Sequence, residues 1–250
     1  MTPAEVASIL AAGMAAGAVN TIVGAGSLIS FPTLVAFGYP ALVANVSNTV
    51  GLVPGSLSGV LGYRRELAGQ GSRVLRLGIA AVLGGASGGV LLLVLPPTAF
   101  QRVVPWLILF ACVLVAAQPR LSHALADRRP GGAPPSAVLV IGVYLTGVYG
   151  GYFGAAQGVM LIALLGILLI DDLQRLNALK NVLQALVNAI AAVLFVILGP
   201  VAWAPAVTLA VGAVIGGQVG ARLGRRLPAG VLRVLILVVG TLVAVRMLIG

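Results

Sequence analysis

Gly17-Ala-Val-Asn-Thr-Ile-Val-Gly24-Ala-Gly26 returns later in the chain as Gly147-Val-Tyr-Gly-Gly-Tyr-Phe-Gly154-Ala-Ala156. Working outward from these stretches, the sequence from about Gly17 to Tyr63 lies over the sequence from about Gly147 to Val196. Ala44-Asn-Val-Ser-Asn48-Thr-Val50 answers to Asn177-Ala-Leu-Lys-Asn181-Val-Leu183. Gly17 pairs with Gly147, Gly24 with Gly154 and, after a short insertion in the second copy, Asn48 with Asn181. Both copies set glycines and amide side chains inside apolar sequence. In an oily chain, matching halves with interrupted hydrophobic segments point to a solute site between them.

The solvent of this chain is lipid. Of its 250 residues, 60% are hydrophobic and only 8% charged, where an ordinary soluble domain is about a quarter charged. Runs such as Leu77–Leu95 and Val103–Ala117 are long enough, or nearly so, to cross a hydrocarbon core of about 30 Å. Backbone groups there must be satisfied within helices, and strict two-residue alternation, the mark of a membrane β-barrel, is absent. The apolar segments are Val6–Val23, Leu28–Tyr39, Ala41–Leu61, Leu77–Leu95, Val103–Ala117, Ala137–Phe153, Val159–Ile170, Leu176–Leu198, Ala206–Leu223 and Val231–Ile249. Leu28–Tyr39 and Val159–Ile170 are too short for an untilted crossing and hold corresponding places in the two halves.

The net charge of +10 does not mark a nucleic-acid binder. The arginines cluster in short connections: Arg64, Arg65, Arg73 and Arg76; Arg120, Arg128 and Arg129; Arg222, Arg225, Arg226 and Arg233. That is the positive-inside pattern, and it puts these connections in the cytoplasm. Tyr39-Pro40, Pro96-Pro97 and Gly199-Pro200 then lie outside, and the first half runs outside to inside while the second runs inside to outside. The fold expected is all-α: a polytopic membrane protein of two inverted structural repeats. Each repeat has three clear crossings plus a short broken-helix or re-entrant pair. Residues 1–117 form the first transmembrane repeat, 118–136 a basic cytoplasmic linker rich in proline and glycine, and 137–250 the second repeat. The N-terminal run lacks the basic region of a cleaved signal peptide, and the inner (plasma) membrane is the expected location.

Two groups of residues could carry chemistry. The first is the turn Gly24-Ala-Gly26-Ser27, with Asn20 one helical turn before it, and its counterpart Gly154-Ala-Ala-Gln157-Gly158. A helix restarting after such a turn begins with unpaired N–H groups and a positive dipole end, which suits an anion; close helix packing through small residues is the alternative. The second is Asn177, Asn181, Gln184 and Asn188, which share one helix face, flanked by Lys180, the sole lysine. Asn45, Ser47, Asn48, Thr49 and Ser56 form a weaker equivalent in the first half. Lys180 is either a cation facing an anionic substrate or a side chain snorkelling to the interface, and the amides are either ligands or interhelical glue.

Other chemistry is disfavoured. The five acidic residues, Glu5, Glu66, Asp127, Asp171 and Asp172, all lie outside the deep spans, which argues against a cation carrier. Cys112 and His123 are single, too few for a zinc site. Neither a serine nucleophile elbow nor a Walker phosphate loop is present, so no enzymatic activity, catalytic residue, metal or cofactor is expected.

At these motifs the chain resembles the TauE/SafE family of membrane permeases, the sulfite exporter family. The resemblance is carried by Asn20–Pro32, by Ala44–Gly59 with Tyr63-Arg-Arg65, by Tyr149–Gly158 and by Asn177-Ala-Leu-Lys-Asn181, and it covers nearly the whole chain. It implies export or import of sulfite, sulfonates, related sulfur anions or small organic acids through duplicated helical halves. The chain departs from the family's longer glycine run at Gly24-Ala-Gly26 and at Ala155-Ala156. The expected function is therefore secondary transport, in the export direction, of a small anion, with a passive anion channel and a non-transporting assembly subunit as alternatives. The substrate-binding candidates are Asn20, Gly24, Gly26, Ser27, Asn48, Gly154, Gln157, Gly158, Lys180, Asn181 and Gln184. The partners expected are a small anionic substrate and the lipid bilayer, with no nucleic acid; a homodimer is allowed.

Overall fold

A computed structural model of the chain describes residues 1–126, 136–223 and 229–249. The rest of the linker expected over 118–136 and the expected cytoplasmic residues Arg128, Arg129, Arg225 and Arg226 lie outside the described residues. The elements are α1 (Pro3–Ile22), α2 (Ser27–Ala36), α3 (Ala41–Gly62), α4 (Gly71–Val94), α5 (Pro97–Ala126), α6 (Ser136–Tyr152), α7 (Gln157–Leu168), α8 (Leu173–Leu198), α9 (Trp203–Leu223) and α10 (Ala229–Ile249). Each answers to one apolar segment of the sequence. The largest difference is at α5, which continues to Ala126 into the segment expected to be linker. The two leucines and two alanines of that stretch are strong helix formers, and they extend the helix past the end of the apolar run.

Local chemistry sets the boundaries. Thr2 and Glu5 form a capping box over the start of α1, with Pro3 in its first turn. The Asp172 carboxylate accepts the N–H groups of Gln174 and Arg175 to start α8. Five helices among the described residues are long and apolar enough to cross a membrane, namely α1, α4, α5, α8 and α9. By contrast, α2 has 10 residues and α7 has 12.

The surface is inside out relative to a soluble protein. Leu75, Leu83, Val94, Trp106, Val113, Ile197 and Leu198 are exposed, whereas Asn20, Asn45, Ser47, Asn48, Gln157, Lys180, Asn181 and Gln184 are buried. Apolar groups face outward and polar groups face each other, which is stable only against lipid. The chain is a polytopic all-helical membrane protein.

Most of the helix packing is preserved when the two halves are exchanged. α1 packs along α9 as α6 packs along α4, and α3 packs on α9 as α8 packs on α4. α2 touches α10 as α7 touches α5, while the α3–α8 and α5–α10 pairs map onto themselves. Each half thus lends a helix to the other: α4 lies against α6 and α8, and α9 against α1 and α3. Glycine seams allow this. Gly13 and Gly17 meet the backbone of Leu209 and Ala213, and Gly84 and Gly88 meet the backbone of α6 at Tyr144 and Val148. With no hydrophobic effect between helices in lipid, close backbone contact supplies the van der Waals attraction that holds them.

Candidate functional site

The site begins where two helices stop. α1 ends at Ile22, and Gly24 then takes φ +83° while its N–H reaches the Val19 carbonyl at 3.0 Å. α6 ends at Tyr152, and Gly154 takes φ +78° with its N–H on the Tyr149 carbonyl at 3.1 Å. The two breaks open in the same way. α2 restarts at Ser27 and α7 at Gln157, the latter behind Ala156 in the left-handed region at φ +57°. A side chain on a non-glycine residue makes that conformation costly, so packing must hold Ala156 there; it is fully buried.

The breaks touch each other. The Gly158 N–H donates to the Gly24 carbonyl at 3.0 Å, and a Cβ on either glycine would overlap the other's backbone. The N-terminal ends of α2 and α7 therefore converge at one place. Phe31, one turn into α2, stacks edge-on against Phe153 of the second break at 5.5 Å, and Phe100 packs against Tyr152 and Phe153.

The polar stripe of α8 lies across the end of α1. Lys180 is fully buried, and its Nζ donates to the carbonyls of Asn20 at 3.2 Å and Thr21 at 3.4 Å. The Thr21 carbonyl also accepts Asn177 Nδ2 at 3.4 Å and Asn181 Nδ2 at 3.3 Å. The last carbonyls of a helix have no partner within it and carry the negative end of its dipole. Lys180, Asn177 and Asn181 supply the donors that this end lacks. Asn20 fixes the break from the other side: its Oδ1 accepts the Gly26 N–H at 2.9 Å and Gln184 Nε2 at 3.1 Å. In the other half, Asn45 Nδ2 of α3 donates to the Tyr152 carbonyl at the end of α6, at 3.1 Å.

The sequence candidates do not all share one surface. Asn20, Asn181 and Gln184 line a small cavity with Thr21 and Ser56; its volume of about 10 Å³ is room for roughly one water molecule. Lys180 stands behind it, on the α1 carbonyls. Gly24 and Gly158 form the backbone contact, and the Gln184 side-chain oxygen lies against Gly158. Gly26 acts through its N–H, and Gly154 serves the second break. Asn48 is turned to α2, where its Oδ1 accepts the Ser30 hydroxyl. Ser27 is buried at the start of α2. Gln157 is fully buried against Gly150, and neither end of its amide has a hydrogen-bond partner. A buried amide with both ends unpaired carries a desolvation cost that a bound polar group would relieve.

Sequence reasoning passed over Thr21, whose contribution is a backbone carbonyl and so leaves no mark in residue type. Its one signal is position, just before the glycine break. Among the described residues no cluster of His, Cys, Asp or Glu could hold a metal ion.

Comparison with known proteins adds a family. The family described as Sulfite exporter TauE/SafE matches residues 9–247. The chain is 27% identical over 192 residues to "Probable membrane transporter protein YfcA" of Escherichia coli K12, covering 76% of this chain and 70% of that protein. It is 27% identical over 197 residues to a "Probable membrane transporter protein" of Haemophilus influenzae, covering 79% and 76%. No solved structure matches.

Proposed function

The chain belongs to the sulfite exporter TauE/SafE family and has a membrane transport role, and from that premise we propose that it is a secondary transporter exporting a small anion: sulfite, an organosulfonate, or a related sulfur-containing or carboxylate anion. The observation that carries this reading is the Gly158–Gly24 contact, which brings the positive ends of α2 and α7 together beside an amide-lined cavity and a buried lysine. Helix N-termini attract negative charge. The amides of Asn181, Gln184 and Gln157 are suited to hold anion oxygens, and Lys180 supplies the charge once it is drawn from the α1 carbonyls. None of the described residues lining the cavity is acidic, which favours an anion over a cation.

In this reading the Arg-rich ends face the cytoplasm, the halves are inverted relative to each other, and the protein resides in the inner membrane. The inside-negative potential drives a monoanion outward with about 2.3 kcal/mol per 100 mV, roughly a fifty-fold gradient. A cavity closed down to about 10 Å³ fits a carrier between loading steps better than an open channel.

The test is flux into and out of proteoliposomes, with labelled sulfite, methanesulfonate and acetate. Wild type is expected to give saturable flux of at least one of these anions, and Gln184→Ala and Gln157→Ala to reduce it severalfold. Undiminished flux in both variants removes the site; flux without saturation makes the protein a channel.

A further inference from the structure

A second cavity lies next to the closed one. It has a volume of about 110 Å³ and is lined by Tyr63, Gln118, Gln174 and Asn177 among apolar residues of α1, α7 and α8. On the scale at which about 10–15 Å³ holds one water, this is room for several, and so for an anion of a few heavy atoms. No carboxylate is among its described lining residues. Gln118 and Gln174 line it, and each has a side-chain oxygen buried without a hydrogen-bond partner. The two ends of an amide exchange by rotation, so each glutamine can turn an NH₂ toward an anion's oxygen.

The two cavities share a wall. Asn177 lines the larger one and donates to the Thr21 carbonyl, while Thr21 lines the smaller one. At the head of α8, next to Leu173 and Gln174, Asp171 pairs with both Arg73 and Arg175. With the Asp172 carboxylate on the N–H groups of Gln174 and Arg175, that cluster holds two positive and two negative groups. By the positive-inside pattern it stands on the cytoplasmic side.

Resting on the proposed transport function, we propose that this cavity is a loading site. A small oxyanion from the cytoplasm binds to Gln118, Gln174 and Asn177 here, before the Asn177–Thr21 contact opens to admit it to the inner site. The assignment names a second anion site, on the cytoplasmic side of the inner one.

The experiment uses the full chain with its sole cysteine removed (Cys112→Ala) and one cysteine introduced, Gln174→Cys for the loading cavity or Ser56→Cys for the inner one. A membrane-impermeant anionic methanethiosulfonate reagent is applied to inside-out and right-side-out vesicles, with and without methanesulfonate or acetate. Gln174→Cys is expected to react much faster in inside-out vesicles and to be slowed severalfold by at least one of the two anions, while Ser56→Cys reacts slowly from both sides. In flux assays, Gln118→Leu with Gln174→Leu is expected to raise KM severalfold and leave maximal rate nearly unchanged. Equal reaction from both faces, no slowing by either anion, or an unchanged KM overturns the loading site. Saturable wild-type flux alongside any of those results leaves the transport function standing, whereas absent wild-type flux with asymmetric labelling strikes the function and not the access route.

Discussion

The amide of Gly158, in the first turn of α7, donates to the carbonyl of Gly24, in the break between α1 and α2, at 3.0 Å. One hydrogen bond thus joins equivalent interruptions of the two halves, and it needs two residues without side chains.

Gly24 and Gly38 separate the two demands on a glycine. Both have φ above +80°, but a Cβ on Gly24 overlaps α7 while one on Gly38 meets nothing within 4 Å. Gly38→Ala is expected to cost only the left-handed strain, about 1 kcal/mol. Gly24→Ala should cost more than about 3 kcal/mol, among the most disruptive single changes. Melting temperatures in detergent measure both, and equal losses would show that the contact between the breaks contributes little.

Lys180 completes the end of α1. Lys180→Met keeps the volume but leaves the Asn20 carbonyl without its ammonium partner, so a loss of about 1–3 kcal/mol is expected. Lys180→Arg should not rescue it, because a planar guanidinium does not fit a fully enclosed ammonium site. A melting temperature for Lys180→Arg equal to wild type contradicts this arrangement.

Asp171 gives a pH signature. Burial pushes its carboxyl up, but hydrogen bonds from Arg73 and the Asp172 N–H, with the charges of Arg175 and Arg73, outweigh that and hold its pKa below the usual carboxylate value. A lowered folded pKa stabilises fully above the unfolded value and loses that contribution as pH falls through the folded one. The arginines are 39% and 35% exposed, so screening keeps the contribution below about 1 kcal/mol. The stability difference between wild type and Asp171→Asn should be flat above about pH 5 and close below about pH 4. A difference that persists undiminished into acid refutes the ion-pair account.

Gly88 tests the seam between α4 and α6. A Cβ there overlaps Val148 and Tyr152 backbone, whereas at Gly71 it meets nothing. Gly88→Leu is expected to abolish the monodisperse peak in size-exclusion chromatography, and Gly71→Ala to leave it intact. A well-behaved Gly88→Leu would mean that the seam can part.

Much of this architecture is written in residue type. Bilayer thickness imposes a length on every span, and glycine or proline marks most ends, so the ten apolar segments were legible one by one. The break at Gly24 announced itself because only glycine enters the left-handed region without cost. The α8 stripe was visible in the spacing of its amides. What it touches was not, since the Asn20 and Thr21 carbonyls belong to the backbone and every residue has one. Pro119 and the charged residues suggested a loop from Gln118, but helix propensity carries α5 to Ala126. The exchange of α4 and α9 also escaped, although Gly84, Gly85, Gly88 and Gly89 were in plain view, because a glycine face names no partner.

That exchange bears on how such a chain could arise. A half-length ancestor standing alone would leave the glycine flank of its fourth helix bare to lipid, with no neighbour close enough to fill it. Two copies trading that helix would each be complete.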